Sequence, residues 1–196
     1  MPNWCDNTIS ISGPADKISK MYQELNNPDN NDGLCQILYP MPENTFTGNL
    51  GEKERKDCAE KGIPNWYDWC TANWGTKWDT ADGDWQYEDA GNDEAILTGS
   101  FQTAWAPPIG AYENAPDDLY IEAMYYEPGC AFAGKWDSGS GEEHYSLDGT
   151  KQALEDELPE DLNECFGITE YMEDEPEELS EWMREGAEAK KELVSG

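Results

Sequence analysis

Residues 95–105 read AILTGSFQTAW. Leu97, Gly99, Phe101, Thr103 and Trp105 occupy every second position, so an extended chain puts them on one face. That period of two marks a half-buried strand. Just upstream, residues 84–88 read as its partner, joined through a hairpin loop over residues 90–93 that holds Gly91. Downstream, Pro107 and Pro108 close the strand and start a short helix carrying Ile109 and Tyr112, which Pro116 ends. Leu119, Ile121, Ala123 and Tyr125 then alternate with Tyr120, Glu122, Met124 and Tyr126, which predicts a further strand. Gly129 turns the chain, and Cys130, Phe132, Gly134 and Trp136 line the next one. SGSGEE over residues 138–143 reads as a flexible turn before a short edge at residues 144–147.

Towards the N-terminus, TISIS over residues 8–12 alternates in the same way, with Ile9 and Ile11 on one face. Gly13 turns the chain and Pro14 opens a helix whose stripe is Ala15, Ile18, Met21, Tyr22 and Leu25. NNPDNNDG over residues 26–33 is a loop. Residues 34–39 form a strand or a helical turn, stopped by Pro40 and Pro42, and residues 51–62 form a charged helix. The order strand, helix, two strands, helix, strand predicts an α+β fold around an antiparallel sheet. A large insertion at about residues 27–83 separates the first helix from the second strand.

That insertion ends in IPNWYDWCTANWGTKWD, residues 63–79, with four of the nine tryptophans. Pro64 suits the first turn of a helix, and Gly75 suits its end. Trp66, Trp69 and Cys70 share a face at spacings of three and four. Each aromatic ring buries about 150–250 Å², so these indoles can anchor a small domain. The other reading is a ring-lined pocket formed by Trp66, Trp69, Asn73, Trp74 and Trp78, with Trp105 beside it.

Charge sets this chain apart. It has 43 acidic residues against 12 basic ones, a net charge of −31 over 196 residues. Mean hydropathy is −0.87, yet 12% of the residues are aromatic, which excludes a disordered chain. A compact chain of this length is roughly 40 Å across. Duplex DNA of that length carries about 25 charges. Such self-repulsion destabilises a fold, so it serves a purpose or reflects a salty setting. From residue 149 the chain becomes an acidic helical extension, residues 149–196, expected to pack on a core of residues 1–148. A helix is expected at residues 150–158 and another from Pro176, with a stripe of Leu179, Trp182, Met183 and Leu193.

Most familiar chemistry fails on inspection. In DTADGDWQYE, residues 79–88, an EF-hand register would place Trp78 at the first ligand position. Six widely spaced cysteines without a CxxC pair, and the single His144, do not match zinc spacings, so no metal is expected. Cys70 beside Trp69 reads as a core thiol rather than a nucleophile. Glycine-rich phosphate loops are absent. No catalytic residue and no cofactor is expected. There is no apolar run long enough for a membrane span and no leader at the N-terminus, so the expected setting is the cytoplasm, with reduced thiols. Direct binding to nucleic acid conflicts with the sign of the charge.

MPNWCDNTISISG at residues 1–13, NWYDWCTANWGTKWD at residues 65–79 and FQTAWAPP at residues 101–108 resemble the YubB ferredoxin-like family of plasmid and bacteriophage proteins. The resemblance extends to about Trp136. It implies a ferredoxin-like βαββαβ core and a mobile-element setting in a host cytoplasm, with no activity to carry over. Charge and setting together lead to an expected function: imitation of DNA towards a basic nucleic-acid-binding host protein, such as a defence factor. The carboxylates expected to meet it are Glu155, Asp156, Glu157, Glu160, Asp161, Glu164, Glu173, Asp174, Glu175, Glu177, Glu178 and Glu181. The alternatives are a small-ligand binder or enzyme using the tryptophan pocket, a regulatory partner, or an acidic skin that only solvates.

Overall fold

The computed structural model describes residues 2–30, 32–170 and 172. The chain divides into two compact units, Met1–Tyr145 and Ser146–Gly196. Six strands build one sheet: β1 (Trp4–Pro14), β2 (Ala81–Gly91), β3 (Glu94–Ala104), β4 (Tyr120–Glu127), β5 (Phe132–Asp137) and β6 (Gly141–Ser146). Their order is β2-β3-β1-β4-β5-β6. The pairs β1–β3, β1–β4, β2–β3 and β4–β5 are all antiparallel. Between β1 and β2 the chain forms α1 (Ala15–Leu25), α2 (Leu34–Leu38), α3 (Glu52–Lys61) and α4 (Trp66–Asn73). Helix α5 (Ile109–Glu113) connects β3 to β4. The second unit contains α6 (Lys151–Glu157) and α7 (Glu160–Phe166). The architecture is α+β with an antiparallel sheet.

The core lies on one face of the sheet. Ile9 and Ile11 of β1, Leu97 and Phe101 of β3, and Ile121 and Ala123 of β4 are buried there. They pack with Ile18 and Met21 of α1, Leu34 and Leu38 of α2, and Tyr112 of α5. Burying such a side chain contributes about 1.5–3 kcal/mol. Trp85 of β2 pairs in register with Gly99 of β3 and stacks on Phe101 at 5.5 Å between ring centres. A β-carbon on Gly99 would stand 2.2 Å from Trp85 Cε3. The glycine is what allows the indole to lie flat on the sheet.

Several elements differ from the sequence expectation. Strand β1 starts at Trp4, ahead of residue 8, because Cys5 and Asn7 continue the buried face. Asn7 is a polar residue on an apolar stripe, and its amide donates to Cys5 O at 2.8 Å and Thr103 Oγ1 at 2.9 Å. Trp105 does not join the core face with Phe101. The strand ends at Ala104, Trp105 takes φ of 72°, and its ring is 41% exposed. Cys130 belongs to the turn before β5, where the buried Glu127 carboxylate accepts from the backbone N–H groups of Gly129 and Cys130. The turn over residues 138–143 is partly ordered: Asp137 Oδ1 accepts from Gly139 N at 2.7 Å and Ser140 N at 2.8 Å, and β6 begins at Gly141.

In the second unit, Thr150 caps α6 by accepting from Ala153 N at 3.2 Å. Leu154, Leu158, Leu162 and Ile168 are buried. Helix α7 falls inside the expected helical extension, at a position for which no separate helix is expected; Pro159 precedes it and Gly167, in the left-handed region, ends it. The helix expected from Pro176 lies outside the described residues.

Candidate functional site

The segment from Trp74 to Thr80 is fixed at four points, and its anchors build the candidate site. Asn65 caps α4 by accepting from Asp68 N at 3.0 Å, so the helix starts at Trp66 and Pro64 stands outside it. At the other end, Trp74 is buried and its Nε1 donates to Tyr39 O at 2.8 Å. Gly110 lets α5 meet this end closely: its N–H donates to Trp74 O, and a β-carbon would stand 2.2 Å from Asn73 O. Thr76 Oγ1 then accepts from Ala104 N and donates to Ala104 O, both at 3.1 Å. That pair brings Lys77 and Trp78 to the end of β1 and β3, where Trp4 and Trp105 emerge.

The last anchor is Asp79. Its carboxylate accepts from Gly33 N at 3.0 Å, Cys35 N at 2.8 Å, Gln36 N at 3.0 Å and Thr80 N at 2.7 Å. Thr80 Oγ1 accepts from Leu34 N at 3.0 Å. Together these two residues satisfy the orphan donors at the start of α2 from far away in sequence. Burial pushes the Asp79 carboxyl above the usual carboxylate value, and the N–H donors of Thr80, Cys35 and Gln36 oppose that shift.

Two features result. The first is a cavity of about 510 Å³ whose walls include Trp66, Trp74, Trp78, Met41 and Cys70, with Asp32, Glu43, Lys77 and Asp79 among its polar groups. The second is a surface cluster of rings around one ammonium. Lys77 Nζ lies 4.2 Å from the ring centre of Trp78, 5.0 Å from that of Trp105 and 5.8 Å from that of Tyr67. Trp4 flanks Trp78 at 6.4 Å. Trp4, Trp78 and Trp105 are each about two-fifths exposed. Another hollow, of about 630 Å³, runs along α1 and α2 and has no aromatic wall.

The structure therefore divides the expected pocket residues. Trp66, Trp74 and Trp78 line the cavity, while Trp69, Asn73 and Trp105 do not. Trp69 packs between Tyr39 and Trp74, at 5.4 and 5.3 Å. Asn73 Nδ2 is spent on Trp69 O at 2.9 Å. Trp105 belongs to the ring cluster. Tyr67 and Lys77 are not among the expected pocket residues; the anchoring by Thr76 brings Lys77 to 5.0 Å from the Trp105 ring.

The thiols are poor nucleophiles where they are buried. Desolvation raises Cys70 to about 12 and Cys5 to about 12, and it raises Cys35 as well. His144 meets the Tyr125 hydroxyl at 3.1 Å, which also donates to Glu142 Oε1 at 2.6 Å. Among the described residues no three His, Cys, Asp or Glu side chains are grouped to hold a metal ion. No described helix is long and apolar enough to cross a membrane.

Of the expected partner-binding carboxylates, Glu155, Asp156 and Glu157 on α6 and Glu160, Asp161 and Glu164 on α7 are all exposed. Glu173, Asp174, Glu175, Glu177, Glu178 and Glu181 lie outside the described residues. On the sheet face away from the core, Asp84 and Glu88 of β2 and Glu122 of β4 are exposed too. Glu122 stands directly opposite Asp137 across β4 and β5. Backbone N–H groups of Ser140 and Gly139 hold the Asp137 carboxyl below the ordinary value, so it stays ionised beside a like charge. Three ion pairs join described residues: Lys17–Asp118, Lys20–Glu24 and Arg55–Asp68.

No family model and no curated protein matches the chain. Among solved structures it is similar to the crystal structure of a protein api92 from Yersinia pseudotuberculosis, family model DUF1281, at 10% identity and a TM-score of 0.43; the match covers 76% of this chain and 100% of that one.

Proposed function

We propose that the protein presents fixed negative charge to a basic nucleic-acid-binding protein of a host cell and occupies the surface where that protein grips a polynucleotide. The observation that carries this is the Glu122–Asp137 pair. Like charges directly opposite in a sheet destabilise it, and here the turn donors hold Asp137 in place opposite Glu122. The exposed carboxylates of α6 and α7 extend the same chemistry in the second unit. Complementary charge would steer fast, salt-sensitive association. The strand order β2-β3-β1-β4, with α1 and α5 in its two connections, supports a ferredoxin-like core. Together with the YubB resemblance, this fits a mobile-element accessory protein.

The test is capture from host lysate at low salt, followed by elution in a salt gradient and competition with duplex DNA. A basic DNA- or RNA-binding protein that duplex DNA displaces is expected. Glu122→Lys with Asp137→Lys should weaken that capture. Capture that persists in 1 M salt and ignores the duplex would refute the reading.

A second reading, a small-ligand binder, is favoured by one specific observation. The cavity beside α4 has three indole walls, and its volume falls in the range typical of ligand sites.

A further inference from the structure

Lys77 is set apart by its surroundings. Like Lys53, Lys56 and Lys61, it takes part in none of the three ion pairs among the described residues. Its ammonium rests against the rings of Trp78 and Trp105 and lies 5.8 Å from that of Tyr67, which also holds the Arg55 guanidinium at 4.9 Å. Ring faces carry the negative end of the aromatic quadrupole, and several around one cation form a cage. This cage is built at some expense. Trp105 holds a left-handed backbone at φ of 72°, unfavourable for a bulky residue, and Thr76 is buried to fix Lys77 beside it.

Lys77 and Trp78 also line the cavity. Asp79 there has both oxygens engaged by backbone donors. Asp32 and Glu43, also in the lining, are the carboxylates left to meet a ligand. Indole faces and carboxylates around one hollow favour an organic cation over an anion: the rings attract positive charge, and the acids repel phosphate.

We propose that the cavity and the adjoining cage bind an alkylammonium compound, and that Lys77 is a built-in occupant which the ligand displaces. This rests on the small-ligand reading and names its ligand class. It also gives the lysine a role: it keeps the two indole rings covered by a cation until a better-fitting one arrives.

Choline is the probe, and 3,3-dimethylbutan-1-ol, which replaces its nitrogen by carbon, is the neutral control. Binding is followed on the indole N–H resonances of Trp66, Trp78 and Trp136, the last serving as a distant reference. Choline should shift Trp66 and Trp78 saturably at constant ionic strength and leave Trp136 in place. Losing one cage ring through Trp78→Ala should weaken binding about tenfold. Lys77→Ala, a change at a partly exposed side chain, should tighten it by a similar factor, while Lys77→Arg should not. Equal shifts from the neutral alcohol would overturn the cation assignment but leave a ligand cavity standing. No saturable shift from either compound, in the protein or in Lys77→Ala, would overturn both.

Discussion

The contact between Trp85 and Gly99 makes a quantitative prediction. A β-carbon on residue 99 would meet Trp85 Cε3 at 2.2 Å and Cζ3 at 2.5 Å, where an ordinary carbon contact needs about 3.5–4.0 Å. The indole must therefore move by more than about 1 Å, and it cannot move alone, because it is 6% exposed and stacked on Phe101. Overpacking of this kind costs about 1–3 kcal/mol, so Gly99→Ala should destabilise by about 2 kcal/mol. Trp85→Ala alone removes a buried indole and should cost about 3–5 kcal/mol. In that background the clash is gone, and Ala in a strand interior is worth about 0.5–1 kcal/mol over Gly. The double variant should then be slightly more stable than Trp85→Ala. The coupling should be about 2–3 kcal/mol, the size found for side chains in contact. Urea denaturation followed by far-UV circular dichroism measures all four states without relying on the altered fluorophore. Additivity within about 0.5 kcal/mol would show that the ring does not rest on Gly99 and would refute the argument.

Other outcomes follow from the same structure. Asp79→Ala should destabilise by about 2–3 kcal/mol in urea, because it strips the cap from α2 and leaves buried N–H donors unpaired; Asp79→Asn should recover part of the loss. Asp68 is held below the ordinary carboxylate value of 3.8 by Asn65 and Arg55, and Asp118 by Lys17. Their stabilisation is complete above pH 3.8 and lost as pH falls through the lower folded values, so thermal scans should show Tm dropping there, less steeply in Arg55→Ala with Lys17→Ala. Asp79 has the opposite sign: its carboxyl is raised, so protonation on mild acidification favours the folded state. A thiol reagent should modify two cysteines quickly in the native protein, Cys130 and Cys165, and reach Cys5, Cys35, Cys58 and Cys70 only after unfolding.

The strands were legible wherever alternation was apolar, as at Ile9 and Ile11 or at Leu97 and Phe101. It became illegible where a polar residue holds a core position through its own hydrogen bonds, as Asn7 does, so the start of β1 could not be read. The tryptophan count announced an aromatic cluster but not where each ring goes. Trp74 is buried, Trp69 and Trp66 are half-buried and Trp78 is exposed. Those destinations depend on Thr76 bonding to Ala104 and Asp79 to the start of α2, contacts made across 28 to 46 residues. Likewise the positive φ at Trp105, which swings it from the expected core face into the cage, is a tertiary constraint with no local signature.

The sheet's two outermost strands, β2 and β6, bear on how the molecule behaves in a crowded solution. An open strand offers unpaired peptide groups to a second copy, and natural sheets block this with charge and with bulges. Strand β2 has both: its register slips near each end, and Asp84, Glu88 and Asp89 project from it. Strand β6 carries Glu142 and Glu143. Near the isoelectric point of about 4.1 the net charge of the chain vanishes, and side-by-side association of copies along these strands is the expected route out of solution.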